Sequence, residues 1–129
     1  MRPQKNRGGM SETILWTNSA PTSNFTAQII TMSNNINNYK YVKITYRLST
    51  TNSTEMSNIC SVEDFKKTNN AVGVPSVQTL IGAFNGSATY ARAFRYKTDT
   101  TAEITAAARL QSNETSNNVA IPLQIIGLS

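Results

Sequence analysis

The 129-residue sequence predicts an all-β protein, an antiparallel β-sandwich of about eight strands with a jelly-roll-like arrangement. The clearest evidence is the segment 40–48, where apolar and polar residues alternate with the period of two of a half-buried strand. Its predicted core positions are Val42, Ile44, Tyr46 and Leu48. Similar short segments recur about every ten residues, with turn-forming residues between them. Ser, Thr and Asn supply 45 of the 129 residues, which suits exposed strand faces and turns.

The first half of the chain is predicted to contain strands at 12–17, 24–33, 40–48 and 55–62. In the first strand, Ile14 and Trp16 share one face, and Trp16 is predicted to anchor the core or its rim. The Asn-rich segment 34–39 predicts a tight turn, with one helical turn around Ile36. Polar residues interrupt the fourth strand, which favours a position at the edge of a sheet.

The second half is predicted to contain strands at 77–84, 88–97, 102–111 and 119–128. Before them, 63–67 predicts one turn of helix, with acidic residues first and basic residues last. Strand 77–84 is apolar on both faces, which indicates a central strand, and Asn85-Gly86 predicts a hairpin after it. Pro122 lies inside the last strand, which predicts that it is at the edge of a sheet or at a bulge. In strand 102–111 the predicted inward residues are Ile104, Ala106, Ala108 and Leu110.

Residues 1–10 are predicted to form a flexible basic arm, and residues 11–129 the sandwich domain. The arm has no apolar periodicity, so residues 1–9 are expected to be dispensable for folding. One interpretation is that the arm anchors the protein on an acidic surface. The alternative is that translation starts at Met10 and that Arg7-Gly8-Gly9 reflects a purine-rich ribosome-binding site.

The sequence offers no arrangement of catalytic residues or metal ligands. Histidine is absent, which removes the commonest general base and metal ligand, and the seven acidic residues are scattered. The six glycines form no phosphate-binding loop, and the lone Cys60 is predicted to be a small buried hydrophobic residue in a protein folded in a cytoplasm. We therefore expect neither an enzyme nor a protein that needs a cofactor or a metal.

The charge pattern favours neither nucleic acid nor a membrane as the partner. The net charge is +5, but Arg2, Lys5 and Arg7 supply three of the positive charges. The remaining excess is too small to indicate a basic stripe for nucleic acid. The sequence contains no apolar run of about 18 residues, so no transmembrane helix is predicted.

One row of side chains in strand 88–97 is a candidate ligand-binding surface. Its members share one face of the strand: Tyr90, Arg92, Phe94 and Tyr96. If the alanines on the other face are in the core, this row faces outward, and tyrosine and arginine are enriched at binding surfaces. The alternative is that the aromatic residues fill the core and that Arg92 reaches out past its rim.

Four segments resemble small β-sandwich domains of bacteriophage virion proteins, found in tail fibres, baseplates and capsid-surface proteins of phages and prophages of Gram-positive hosts. These segments are 12–17 (ETILWT), 25–28 (FTAQ), 38–44 (NYKYVKI) and 120–128 (AIPLQIIGL). Such domains often follow a long anchoring segment, and the sequence as given has none before residue 11. This favours a stand-alone decoration protein or minor virion protein over a fibre tip.

The resemblance implies a virion structural protein on the particle exterior, assembled in the host bacterial cytoplasm. It implies contact with other virion proteins and receptor binding through a host surface glycan. Self-association is predicted by apolar surface beyond what one core requires, on both faces of 77–84 and at Ile126 and Leu128, and the resemblance implies that the oligomer is a homotrimer. An alternative from another class is a free carbohydrate-binding, lectin-like module. Electron microscopy of particles and a glycan array distinguish the two.

Overall fold

The structure, a computed structural model, describes residues 10–69, 78–84, 88–110, 112 and 114–129. Within them, antiparallel strands form two packed sheets, one of which is curled into a half-barrel, and this confirms the predicted sandwich. The strands are β1 (Glu12–Thr17), β2 (Gln28–Thr31), β3 (Tyr41–Ser49), β4 (Glu55–Ser61), β5 (Gln78–Phe84), β6 (Ala88–Thr98), β7 (Thr101–Ile104), β8 (Ala107–Arg109), β9 (Thr115–Ser116) and β10 (Val119–Leu128). One helix, α1, spans Val62–Lys66, and 3₁₀ turns occupy Ile36–Asn38 and Lys67–Asn69.

The strand pairing is nested, so that the two ends of the domain meet. The first sheet has the order β1–β10–β3–β4, and the second has the order β2–β7–β6–β8–β9 with β5 paired to β6. β1 therefore pairs with the last strand and β2 with β7, while β3–β4, β5–β6 and β6–β7 are neighbours in sequence. Just beyond the first pair, Ser11 and Ser129 exchange two backbone hydrogen bonds of 3.0 and 3.1 Å.

The alternation in β3 has the predicted orientation. Val42, Ile44 and Tyr46 are buried, and Leu48 is half-buried. On the neighbouring strand, Ile125 lies opposite Ile44 and is also fully buried. Each such side chain contributes about 1.5–3 kcal/mol through removal of its apolar surface from water.

The predicted face of β1 is wrong because of a β-bulge. The pairing with β10 shifts between Ile14 and Trp16, so Leu15 turns into the core. Ile14 is instead exposed, whereas Trp16 is half-buried and packs edge-on against Phe25 at a centroid distance of 6.0 Å. A bulge adds one residue to one strand, so the two-residue period does not continue across it.

The prediction that 77–84 is a central strand is also wrong. Within the described residues β5 pairs only with β6. One of its two apolar faces is buried, at Leu80, and the other is exposed, at Ile81. Side chains of the first sheet cover the other edge of β5. Asn58 donates from Nδ2 to the Thr79 carbonyl, and the Ile81 amide donates to the Tyr46 hydroxyl at 3.4 Å. These bonds satisfy backbone groups that an open edge would expose.

The predicted strand 102–111 is broken into β7 and β8. Both backbone groups of Ala93 bind Thr105: the Thr105 amide donates to the Ala93 carbonyl at 3.0 Å, and the Ala93 amide donates to Thr105 Oγ1 at 2.8 Å. The strand alternation does not continue across this irregularity, so Ala107 is buried while Ala108 and Leu110 are exposed. The predicted inward positions are therefore correct for Ile104 and wrong beyond it.

Pro122 lies at a bulge, as one of the two alternatives predicted, and its strand β10 is central rather than at an edge. Asn18 donates two hydrogen bonds to the irregular backbone there. Its side-chain amide donates to the Pro122 carbonyl, and its main-chain amide to the Leu123 carbonyl, both at 2.8 Å.

The predicted edge position of β4 and the predicted helical turns near Ile36 and 63–67 are met, whereas Cys60 is half-buried rather than buried and the predicted strand 24–33 is shortened to β2. β4 is at the edge of the first sheet, the 3₁₀ turn contains Ile36, and Ser61 caps α1 by accepting a 3.0 Å hydrogen bond from the Asp64 amide. Asn85-Gly86 and residues 1–9 lie outside the described residues.

Candidate functional site

The row predicted as a candidate ligand surface faces the core. Tyr90, Arg92 and Phe94 are buried, and Tyr96 is half-buried. Phe94 stacks on Phe65 of α1 at a centroid distance of 4.7 Å. The outward alternative is therefore wrong, and the aromatic residues of the row fill the interior, as the other alternative held.

Arg92 does not reach past the rim of the core, because its side chain is only 1% exposed. Its guanidinium donates to three backbone carbonyls: Nε to Val119 at 3.0 Å, Nη1 to Thr105 at 3.0 Å and Nη2 to Asn117 at 3.1 Å. Burial lowers the pKa of Arg92 to about 10, so it stays charged at neutral pH. These contacts make Arg92 an internal cross-link between β6, the β7–β8 break and the start of β10.

A polar cluster joins three separate elements at one end of the sandwich. The Tyr96 hydroxyl donates to Asp99 Oδ1 at 2.5 Å, and Lys66 Nζ lies 3.9 Å from the same oxygen. Lys66 Nζ also donates to Asn37 Oδ1 at 2.8 Å. The hydrogen bond from Tyr96 lowers the pKa of Asp99 and, reciprocally, raises that of Tyr96. The cluster fixes α1 against the 3₁₀ turn and the β6–β7 turn.

Next to this cluster is an open cleft with a volume of about 590 Å³. It lies between the 3₁₀ turn before β3 and the start of α1. Val62 contributes apolar surface, and the other lining side chains are polar or amphipathic: Asn37, Tyr39, Lys40, Ser61, Glu63 and Lys66. Sequence reasoning missed this site because its residues come from segments more than twenty positions apart. The one available signal was the polar, non-β character of 34–39 and 63–67.

A second surface feature is an apolar patch on the outer face of the first sheet. Strand pairing aligns Ile14, Ile126, Lys43 and Ile59 in a row that crosses all four strands. Ile126 and Leu128 alternate with inward-facing Ile125 and are only 7% and 5% exposed. Around them Ile14 is 54% exposed, Tyr41 40% and Ile59 56%. We call this surface the outer apolar face; it comprises Ile14, Tyr41, Ile59, Ile126 and Leu128.

Among the described residues, no group of three or more acidic or cysteine side chains is placed to hold a metal ion. No helix in the same part of the chain is long and apolar enough to span a membrane. Comparison with protein-family models and with curated proteins gives no match. The features that bear on function are therefore the cleft, the outer apolar face and the resemblance of four sequence segments.

Proposed function

We propose that the protein is a structural component of a bacteriophage particle, displayed on the particle exterior as a capsid decoration or as part of a fibre or baseplate. The outer apolar face is the observation that supports an assembly role. Its exposed members, Ile14, Tyr41 and Ile59, lie on one side of the same sheet, and exposed apolar side chains grouped in this way on a small domain favour protein contact. The virion setting comes from the resemblance of segments 12–17, 25–28, 38–44 and 120–128.

The proposed partners are other virion proteins and further copies of this chain, in a trimer. The outer apolar face suits such a contact because Lys43 is the one charged side chain in the row that crosses the four strands. The neighbouring row through Leu128 and Tyr41 adds Glu12, so two charged side chains in these two rows would lose water on assembly. Threefold symmetry is taken from the trimeric organisation of many phage fibres and surface spikes.

Electron microscopy of purified particles tests the virion role. We expect density for the domain at symmetry-related sites on the particle exterior, and gold-labelled antibody against the protein should decorate the same sites. Intact particles without the protein, by microscopy and by mass spectrometry, would overturn the proposal.

Light scattering at micromolar concentration tests self-association. We expect a mass above the 14.1 kDa of a single chain, reduced toward one chain by Ile59→Lys. Ile29→Lys is the matched control, because Ile29 is 60% exposed but belongs to the second sheet. A single-chain mass for the unmodified protein, or equal effects of the two substitutions, would contradict association through the outer apolar face.

The second candidate function is carbohydrate binding, either on the virion or as a free lectin-like module. The specific observation in its favour is the open cleft beside α1, rather than the row that contains Tyr90. A glycan array with the purified protein tests this function without any assumption about the particle.

A further inference from the structure

The cleft between the 3₁₀ turn and α1 has an aromatic wall that is held in place. Tyr39 ends the 3₁₀ turn, and its amide donates to the Ile36 carbonyl at 3.2 Å. Its hydroxyl accepts a 3.1 Å hydrogen bond from Asn34 Nδ2. The ring packs on Gly127, where even a Cβ would come within 2.6 Å of it. The hydroxyl is hydrogen-bonded and the ring is packed on Gly127, so the side chain is already ordered before a ligand binds. Contact with a ligand therefore costs little conformational entropy.

The polar groups of the cleft supply both a donor and an acceptor. Lys40 and Glu63 are exposed, and among the described residues neither forms an ion pair. Lys40 is a pure hydrogen-bond donor, and an ionised Glu63 is a pure acceptor. Ser61 adds a hydroxyl whose oxygen already accepts from the helix amide, so its proton is left to donate.

The charges in and next to the cleft balance. Lys66 is offset by Asp99 at 3.9 Å, and the two other charged lining residues, Lys40 and Glu63, have opposite charges. A site for phosphate or another strong anion would carry an excess of positive charge. Balanced charges, mixed donors and acceptors and one aromatic surface instead suit a neutral ligand with several hydroxyl groups.

We propose that this cleft binds a neutral saccharide, with one face of a sugar ring against Tyr39 and with its hydroxyl groups hydrogen-bonded to Lys40, Glu63 and Ser61. This inference develops the carbohydrate-binding part of the proposed function and places it at a defined site. It does not depend on where the protein lies in a particle.

Amide-resolved NMR titration of the full chain tests the site. The probes are the methyl glycosides of glucose, galactose and N-acetylglucosamine, with N-acetylneuraminic acid and inorganic phosphate as anionic comparators. We expect at least one neutral glycoside to give saturable shifts centred on residues 37–40 and 61–66, with a Kd of about 1 mM. Glu63→Gln and Lys40→Ala should each weaken this binding about tenfold, the loss expected for one charge-assisted hydrogen bond.

Glu55→Gln is the matched control. Glu55 is an exposed carboxylate at the opposite end of β4, roughly 20 Å along the strand from Ser61. It should leave the Kd unchanged, and the amide spectrum of each variant shows directly whether it is folded. Three outcomes would overturn the proposal: no saturable shift at tens of millimolar glycoside, binding of the anionic comparators alone, or shifts centred elsewhere. None of these outcomes changes what microscopy of particles would show. A failure of the saccharide proposal can therefore be distinguished from a failure of the virion proposal.

Discussion

Tyr96 and Asp99 are joined across the turn between β6 and β7 by a hydrogen bond of 2.5 Å from the tyrosine hydroxyl to Asp99 Oδ1. Lys66 of α1 lies 3.9 Å from the same oxygen and 5.8 Å from the centre of the Tyr96 ring. The turn and the helix are thereby connected through one carboxylate. This connection depends on two protonation states, an ionised Asp99 and a neutral Tyr96.

The Tyr96–Asp99 pair should make stability depend on pH at both extremes. The pKa of Asp99 is lowered from 3.8 in the folded state, so its contribution is present above pH 3.8 and is lost as the pH falls through the folded value. The pKa of Tyr96 is raised from 10.0, so its contribution is present below pH 10.0 and is lost as the pH rises through the folded value. Melting temperatures of the protein and of Tyr96→Phe across these ranges check this. The variant should show a weaker dependence in both, and identical profiles would contradict the expectation.

Arg92→Met should destabilise the protein by about 2–5 kcal/mol. The substitution keeps much of the apolar volume but removes the guanidinium donor from three carbonyls. The Asn117 carbonyl still accepts from the Phe25 amide at 2.8 Å, so at most two carbonyls are left unsatisfied, at about 1–3 kcal/mol each. Urea unfolding measures the free energy. Arg95→Met, on the opposite face of the same strand, is the control and should change it by less than about 0.5 kcal/mol. Equal losses would mean that the hydrogen bonds of Arg92 contribute little.

Ile44→Ala should lower the free energy of unfolding by about 2–5 kcal/mol, because Ile44 is fully buried and truncation leaves a cavity. Lys43→Ala, one residue away on the outer face, should be near neutral. The same urea titration compares them. A similar cost for both would show that the two faces of β3 are wrongly assigned.

Gly82→Ala should be more destabilising than Gly127→Ala. A Cβ on Gly82 would lie 2.6 Å from the Leu48 carbonyl oxygen and 2.7 Å from the Ala120 amide nitrogen, and strand backbone moves only if the sheets separate. A Cβ on Gly127 would meet the ring of Tyr39, and displacing that ring would break its exposed hydrogen bond to Asn34 but would move no strand backbone. We expect a loss of at least about 3 kcal/mol for the first and about 1–3 kcal/mol for the second by denaturant midpoint. The reverse order would contradict the packing described.

The sequence predicts strands reliably where a two-residue period runs without interruption, as in β3. It fails at Leu15, where a bulge shifts the alternation, and after Ile104, where the strand is interrupted between β7 and β8. Neither irregularity can be recognised from the pattern of apolar residues. β5 was misplaced for another reason. Its apolar outward face resembles a buried one, and the side chains that cover its edge, Asn58 and Tyr46, come from the other sheet.

The candidate site was less predictable than the fold. The row containing Arg92 was correctly assigned to one face, and the alternative in which its aromatic residues fill the core is the correct one. A fully buried arginine is rare, so the charge of Arg92 predicted wrongly that its side chain reaches past the rim. The cleft depends on the proximity of segments 37–40 and 61–66, which the β3–β4 pairing of Tyr41 with Ser61 creates. Local periodicity carries no information about that proximity.

The paired backbones of Ser11 and Ser129 have a consequence for engineering of the domain. A short linker could close the chain into a ring there without disturbing β1 or β10, and the loop between β3 and β4 could then be opened to give a circular permutant. In the same way, cargo fused before residue 11 or after residue 129 would leave the sandwich at one corner. Genetic display from residue 11 or from residue 129 would therefore give the same presentation geometry.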